Sequence, residues 1–125
     1  MSVKVDLDQL ADTLADFAFA YLITVSDDYQ ARTVAVDPVL RDGVLDVGTV
    51  GGGTRRNLAA HDGVTLLWPP REPGGYTLII DGRGLAGSDD GPLQVVPSHA
   101  VLHRPAPANT PAAQTGCGDD CLPLG

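Results

Sequence analysis

Basic side chains are scarce in this 125-residue sequence: eight lysines and arginines stand against sixteen aspartates and glutamates, a formal charge of −8. Such a balance repels phosphate backbones and anionic membrane surfaces at long range, so nucleic acid is not an expected partner. Any small anion must be held by a local cluster drawn from Lys4, Arg32, Arg41, Arg55, Arg56, Arg71, Arg83 and Arg104. Long apolar runs are also missing, which argues against a membrane span. Lys4 is followed by Asp6 and Asp8 rather than by an apolar stretch, so no signal peptide is expected. The two cysteines, Cys117 and Cys121, lie in the last ten residues, where they cannot staple a core, and a reducing cytoplasmic compartment is the expectation. Their spacing fits no common zinc pattern; a local disulfide loop and half of a metal site across a dimer stand as alternatives to the reading adopted, a reduced tail.

Several catalytic arrangements are absent too. The glycine-rich stretch at 51–53 does not end in Gly-Lys-Ser/Thr and is no nucleotide-triphosphate loop. There is no Ser-His-Asp pattern and no closely spaced carboxylate pair on a rigid element to favour hydrolysis. His99 and His103 share a strand face but stand about 13 Å apart, too far for one metal, and His61 suits a helix C-terminus. No metal site is expected, and no catalytic residue is identified.

What is present suffices for a single domain, small enough that self-association would add useful burial. Leu7, Leu10, Ala11, Leu14, Phe17, Ala18 and Tyr21 recur at helical spacing opposite Asp8, Asp12 and Asp16, predicting an amphipathic helix over 6–19, with Asp6 as cap and Gln9 at the capping-box position. Runs rich in β-branched residues then predict six strands, over 21–26, 31–36, 44–49, 64–68, 76–80 and onward, and 95–102. Short connectors at 27–30 and 41–43 predict hairpins, whereas the third and fourth strands are separated by glycines and a short helix. A helix, many short strands and one helical insert fit a mainly β, mostly antiparallel six-stranded barrel better than a doubly wound parallel sheet. The domain is expected over 1–104, and 105–125 reads as a Pro/Gly-rich extended tail. Trp68 ends a strand, where core packing is its more frequent role and stacking on a ligand the alternative.

Thr49-Val-Gly-Gly-Gly-Thr-Arg-Arg-Asn-Leu58 is the most informative stretch: a strand end, three glycines, Thr54 as a capping residue and a short helix. Glycines admit a ligand close to the backbone, and free N–H groups at a helix start attract anions. Arg55 and Arg56 in the first turn oppose the helix dipole, a conflict that a bound phosphate removes and that solvation also relieves.

The succession of a helix, Tyr21-Leu-Ile-Thr-Val, Ala31-Arg-Thr-Val-Ala-Val, Asp42-Gly-Val-Leu-Asp-Val-Gly-Thr, Thr54-Arg-Arg-Asn-Leu, Val64-Thr-Leu-Leu-Trp-Pro and Leu78-Ile-Ile-Asp-Gly-Arg-Gly-Leu-Ala resembles the pyridoxamine 5'-phosphate oxidase-like, FMN-binding split-barrel family over about residues 6–104. The resemblance implies a split barrel, a homodimer, and FMN or a deazaflavin coenzyme bound between subunits for oxidoreduction of a small molecule. It implies cofactor contacts from Arg32, Thr33 and Val34 on the second strand, Thr49 at a strand end, Gly53, Thr54, Arg55 and Asn57 around the short helix, and Thr77. Thr54 stands where the family usually has a lysine, and Arg55, with its longer forked reach, is the expected substitute. The alternative is a non-catalytic dimeric split-barrel binding protein with a weakened or lost flavin site and no cofactor.

Overall fold

The computed structural model describes residues 2–86 and 91–105. The tail beyond Pro105, with Cys117 and Cys121, lies outside the described residues. Eight strands form one curled, antiparallel half-barrel sheet. They are β1 (Ser2–Lys4), β2 (Ala20–Val25), β3 (Ala31–Val36), β4 (Val39–Arg41), β5 (Val44–Gly48), β6 (Gly63–Trp68), β7 (Thr77–Ala86) and β8 (Leu93–His103). Their order is β3-β2-β6-β7-β8-β5-β4. β1 and β5 pair with opposite ends of β8.

The six expected strands are all present, and two three-residue strands join them. β4 follows Asp37-Pro38, residues that read as a break, and β1 is too short to show a period. Because β4 exists, the Arg41-Asp42-Gly43 turn joins β4 to β5 rather than β3 to β5. Asp42 and Gly43 take φ of 51° and 79° there, matching the twist that a two-residue hairpin turn requires. The N-terminal helix is shorter than its periodicity predicts: a 3-10 turn at Leu7–Gln9 leads into α1 (Leu10–Leu14). Asp6 caps it without a side-chain bond. The N–H groups of Asp16 and Phe17 donate three residues back, to Thr13 and Leu14, tightening the chain out of the α-helix before it enters β2.

Alternation along the strands sends Ala20, Leu22, Leu45, Val64, Leu66, Trp68, Leu78, Ile80, Leu93 and Val95 into one core, capped at one end by Leu10. Trp68 is thus a packing residue. The second helix, α2 (Gly52–Ala60), drops Leu58 into this core. Leu58 fits because β7 carries Gly84, where an added Cβ would lie 2.5 Å from Leu58 Cδ2. Two residues earlier, Gly82 sits at a bulge where β8 inserts Ser98 between Pro97 and His99, and an added Cβ there would meet the Val96 carbonyl at 2.4 Å. A missing side chain on β7 therefore makes the notch that seats the helix.

Gly84→Ala is expected to cost about 1–3 kcal/mol by overpacking and Leu58→Ala about 2–5 kcal/mol by leaving a cavity. The double variant should cost less than their sum, because the shortened side chain vacates the space the new methyl needs. Urea denaturation of the three proteins measures this coupling, and strict additivity would contradict the packing described.

Candidate functional site

α2 begins without a side-chain cap, its N-cap being Gly51 in an extended conformation. Thr54, expected at the cap, is instead the third helical residue, because Gly52 and Gly53 join the helix. The first intrahelical bond is donated by Arg55 N–H to the Gly51 carbonyl at 3.1 Å. The N–H groups of Gly52, Gly53 and Thr54 therefore have no partner within the helix, and no acidic side chain occupies its first turn. This end carries the positive pole of the dipole.

Opposite α2 runs β3, the last strand of the sheet at this side, with five of its six residues exposed. Between them lies an open groove of about 860 Å³. Arg32, Thr33 and Val34 form one wall, and Gly53, Thr54, Arg56, Asn57, Ala59 and Ala60 form the other, with Ser26 and Asp27 at the hairpin end. Asn57 fixes the spacing: its Nδ2 donates to Thr24 Oγ1 at 3.0 Å, and Thr24 is a buried polar residue of β2 directly opposite Arg32 in the β2–β3 register. Arg32 Nη2 donates to Gln30 Oε1 at 2.9 Å.

The structure thus brings together Arg32, Thr33, Val34, Gly53, Thr54 and Asn57. It does not bring Arg55 with them: Arg55 does not line the groove, and its guanidinium donates to the Gly91 carbonyl. Arg56 occupies the groove instead, its Nη1 lying 3.6 Å from where a Cβ on Gly52 would stand. Helical spacing carried this signal, since Gly53, Arg56, Asn57 and Ala60 fall at i, i+3, i+4 and i+7 on one face, with Arg55 off it. Thr49 is exposed beyond the end of β5, and Thr77 begins β7, paired with His103; neither lines the groove.

At the hairpin end, the Ser26 hydroxyl donates to Asp28 and, above all other causes, holds that carboxyl below the ordinary aspartate range. Its contribution to stability is present above the unfolded-state pKa and is lost as pH falls through the lower folded-state value. Elsewhere, on the outer sheet face, Thr65 Oγ1 donates to Asp81 Oδ1 at 2.7 Å, and His99 Nδ1 lies 3.6 Å from Asp81 Oδ2. Among the described residues no three His, Cys, Asp or Glu side chains converge as a metal site, and no helix is long and apolar enough to cross a membrane.

No family model matches the chain. The uncharacterised protein Mb0449c of Mycobacterium bovis is 52% identical over 134 residues, spanning 95% of this chain and 94% of its own. Protein MT0457 of Mycobacterium tuberculosis matches to the same extent. Among solved structures, a FAD-binding protein from Mesorhizobium loti aligns with a TM-score of 0.65 at 12% identity, over 82% of this chain and 96% of that one. The FAD-binding protein from Mycobacterium smegmatis gives 0.59 at 13%, over 82% and 97%. An F420 reductase gives 0.59 at 17%, over 71% and 94%.

Asn57→Ala is expected to destabilise the protein by about 1–3 kcal/mol, because it deprives the buried Thr24 hydroxyl of its donor, whereas Arg56→Ala on the exposed face should stay within about 0.5 kcal/mol. Denaturant midpoints of the two variants check this, and equal losses would contradict the division between a seating and a groove residue.

Proposed function

From a chain that belongs to one family with the mycobacterial proteins Mb0449c and MT0457, and that has the split-barrel fold of pyridoxamine 5'-phosphate oxidase-like proteins, we propose a flavin-dependent oxidoreductase. The β3–α2 groove holds FMN or a related flavin or deazaflavin nucleotide. The observation that carries this reading is the convergence of Arg32 and Arg56 on a groove that also receives the uncapped start of α2.

The residues fit such a group. A phosphate accepts hydrogen bonds from guanidinium forks and from the free N–H groups of Gly52, Gly53 and Thr54, and it relieves the opposition between Arg56 and the helix dipole. The volume lies within the range of small-molecule sites, about 300–1,000 Å³. Val34, Ala59 and Ala60 offer apolar surface along the walls. A flavin, once bound, supplies hydride acceptance itself. The chain's own part is to anchor the phosphate, to fix the groove width through Asn57 and Thr24, and to exclude water along the apolar walls. Thr54 at the usual lysine position is compensated by Arg56 rather than by its neighbour Arg55.

A homodimer completes this reading. The sheet face away from the core carries Tyr21, Ile23 and Val25 on β2, Leu67 on β6, Ile79 on β7 and Val101 on β8, all aligned through the strand registers and half-buried or exposed. Phe19 packs edge-on against Tyr21, with centroids 5.3 Å apart, and extends the patch. Together with the exposed β3 edge, this apolar surface needs a cover, and a second copy supplies one of more than about 1,000 Å². The reading locates the enzyme in the cytoplasm, acting on a small molecule.

FMN is expected to bind the purified protein, with Arg32→Ala and Arg56→Ala each weakening it by about 10- to 150-fold, the equivalent of about 1.5–3 kcal/mol per charge-assisted contact. Arg55→Ala should leave affinity within a few-fold. Flavin fluorescence titration checks the ranking, and protein that binds no flavin would turn the reading to the non-catalytic binding alternative.

Light scattering of the wild type at micromolar concentration is expected to give a dimer, and Ile23→Asp or Leu67→Asp a folded monomer. A monomeric wild type would overturn the proposed interface.

A further inference from the structure

The outer face of the sheet carries a polar cluster that the groove does not use. Strand registers set Ile23, Thr65, Asp81 and His99 in one row across β2, β6, β7 and β8. Regular alternation would turn only every second residue of β8 to this face. The bulge changes that. Gly82 pairs with Pro97 and Asp81 with His99, so Ser98 is left between them, and Ser98 and His99, though consecutive, are both exposed. A hydroxyl is thereby added beside the row. Ile23, Val25, Thr65, Asp81 and Ser98 are among the residues that line a hollow of about 300 Å³ at this place.

The hydrogen bonds around this hollow give it a one-sided polarity. Thr65 Oγ1 donates to Asp81 Oδ1 at 2.7 Å, and Ser98 Oγ donates to the Asp81 main-chain carbonyl at 3.1 Å. A hydroxyl has one proton and two lone pairs, so both side chains have committed their donor and keep acceptors. The carboxylate of Asp81 only accepts, and its two oxygens carry about four lone-pair sites. Thr65 takes one of them, and His99 Nδ1 stands 3.6 Å from the other oxygen. No basic or amide side chain lines the hollow. Its side chains therefore present acceptors and one negative charge beside the apolar Ile23 and Val25. Because Ser98 donates to a main-chain carbonyl rather than to the imidazole, the Ser98, His99 and Asp81 side chains are not arranged as a hydrolytic triad. One carboxylate and two hydroxyls are also too few for a calcium ion, which takes about six to eight oxygens.

We propose that this hollow binds a primary ammonium group carried on a short apolar chain. Such a group brings a positive charge and three N–H donors, which the Asp81 carboxylate and the lone pairs of Thr65 and Ser98 receive, while the chain lies against Ile23 and Val25. The site shares no lining residue with the β3–α2 groove and does not rest on the flavin reading. Ile23 and Val25 also belong to the face proposed for the second copy. A cover there would take the carboxylate out of water, and a bound ammonium offsets that cost.

Titration of the full-length wild type with n-butylammonium, followed through the amide resonances of Thr65, Asp81 and Ser98, tests this. Two probes serve as controls: tetramethylammonium has the charge without N–H donors, and n-butanol has the chain without the charge. The first control is needed because a chain of formal charge −8 attracts any cation. Butylammonium is expected to bind at least about tenfold more tightly than either control, in line with a charge-assisted hydrogen bond. Asp81→Asn, which keeps an acceptor for Thr65, should weaken it by about tenfold or more, and Ser98→Ala by about threefold. Asp42→Asn makes the same change of net charge at the β4–β5 turn and should leave affinity within about twofold. Equal binding of the two cations, no shift at these three amides, or an equal loss in Asp42→Asn and Asp81→Asn overturns the site.

Discussion

The seating of α2 on the sheet sets everything around it, because a helix has one rotation at which Leu58 enters the notch over Gly84. At that rotation Asn57 reaches the buried Thr24 hydroxyl, and both contacts are made. With 3.6 residues per turn, a shift of one residue would turn the face by about 100°. Arg55 would then replace Arg56 in the groove, and Leu58 would leave the core. The apolar contact supplies most of the attraction, and the hydrogen bond adds direction, since a buried hydroxyl left without its partner is costly. Asp62, just after the helix, continues the attachment. Its carbonyl accepts from Gly84 N–H at 2.7 Å, and its carboxylate pairs with Arg83 at 2.9 Å.

Positive potential in this acidic protein is localised by geometry rather than by number of basic residues. Arg32 comes from an edge strand and Arg56 from the first turns of a helix, and the two belong to the same groove because β3 pairs with β2 and α2 packs on β2. The unpaired N–H groups at the helix start add partial charge without adding a side chain. The acidic hairpin, by contrast, lies at the other end of the groove. Such a gradient suits the unsymmetrical ligand proposed for the groove.

Much of this was legible in the sequence. Runs rich in β-branched residues identified β2, β6 and β8, and the Gly-Gly-Gly-Thr-Arg-Arg-Asn stretch located the helix of the site. Arg32 follows from its strand and the resemblance together. The parts that were not legible share a physical cause, namely that long-range packing chose between locally equivalent options. Helical spacing puts Arg55 and Arg56 on different faces, but which face turns to the groove follows only once Leu58 is known to be the buried residue. The helix predicted over 6–19 stops at Leu14 because the chain must turn to enter β2, although its apolar spacing continues to Tyr21. β4 was hidden by Asp37-Pro38, and its presence moves the Asp42-Gly43 turn to a different pair of strands. Tyr29 gives no sign in the sequence of its left-handed conformation, because that is imposed by the bonds around Ser26.

The account stands on the β3–α2 groove as the place where a phosphorylated ligand is held. Hydrogen exchange of the full-length protein with and without saturating FMN tests it most directly, since backbone amides report contact whether or not turnover occurs. The account predicts slowed exchange at Gly52, Gly53 and Thr54 and along residues 31–34, with little change at the core strands β6 and β7. Protection that appeared only outside these segments, or no change at α2 and β3 with flavin bound, would contradict it.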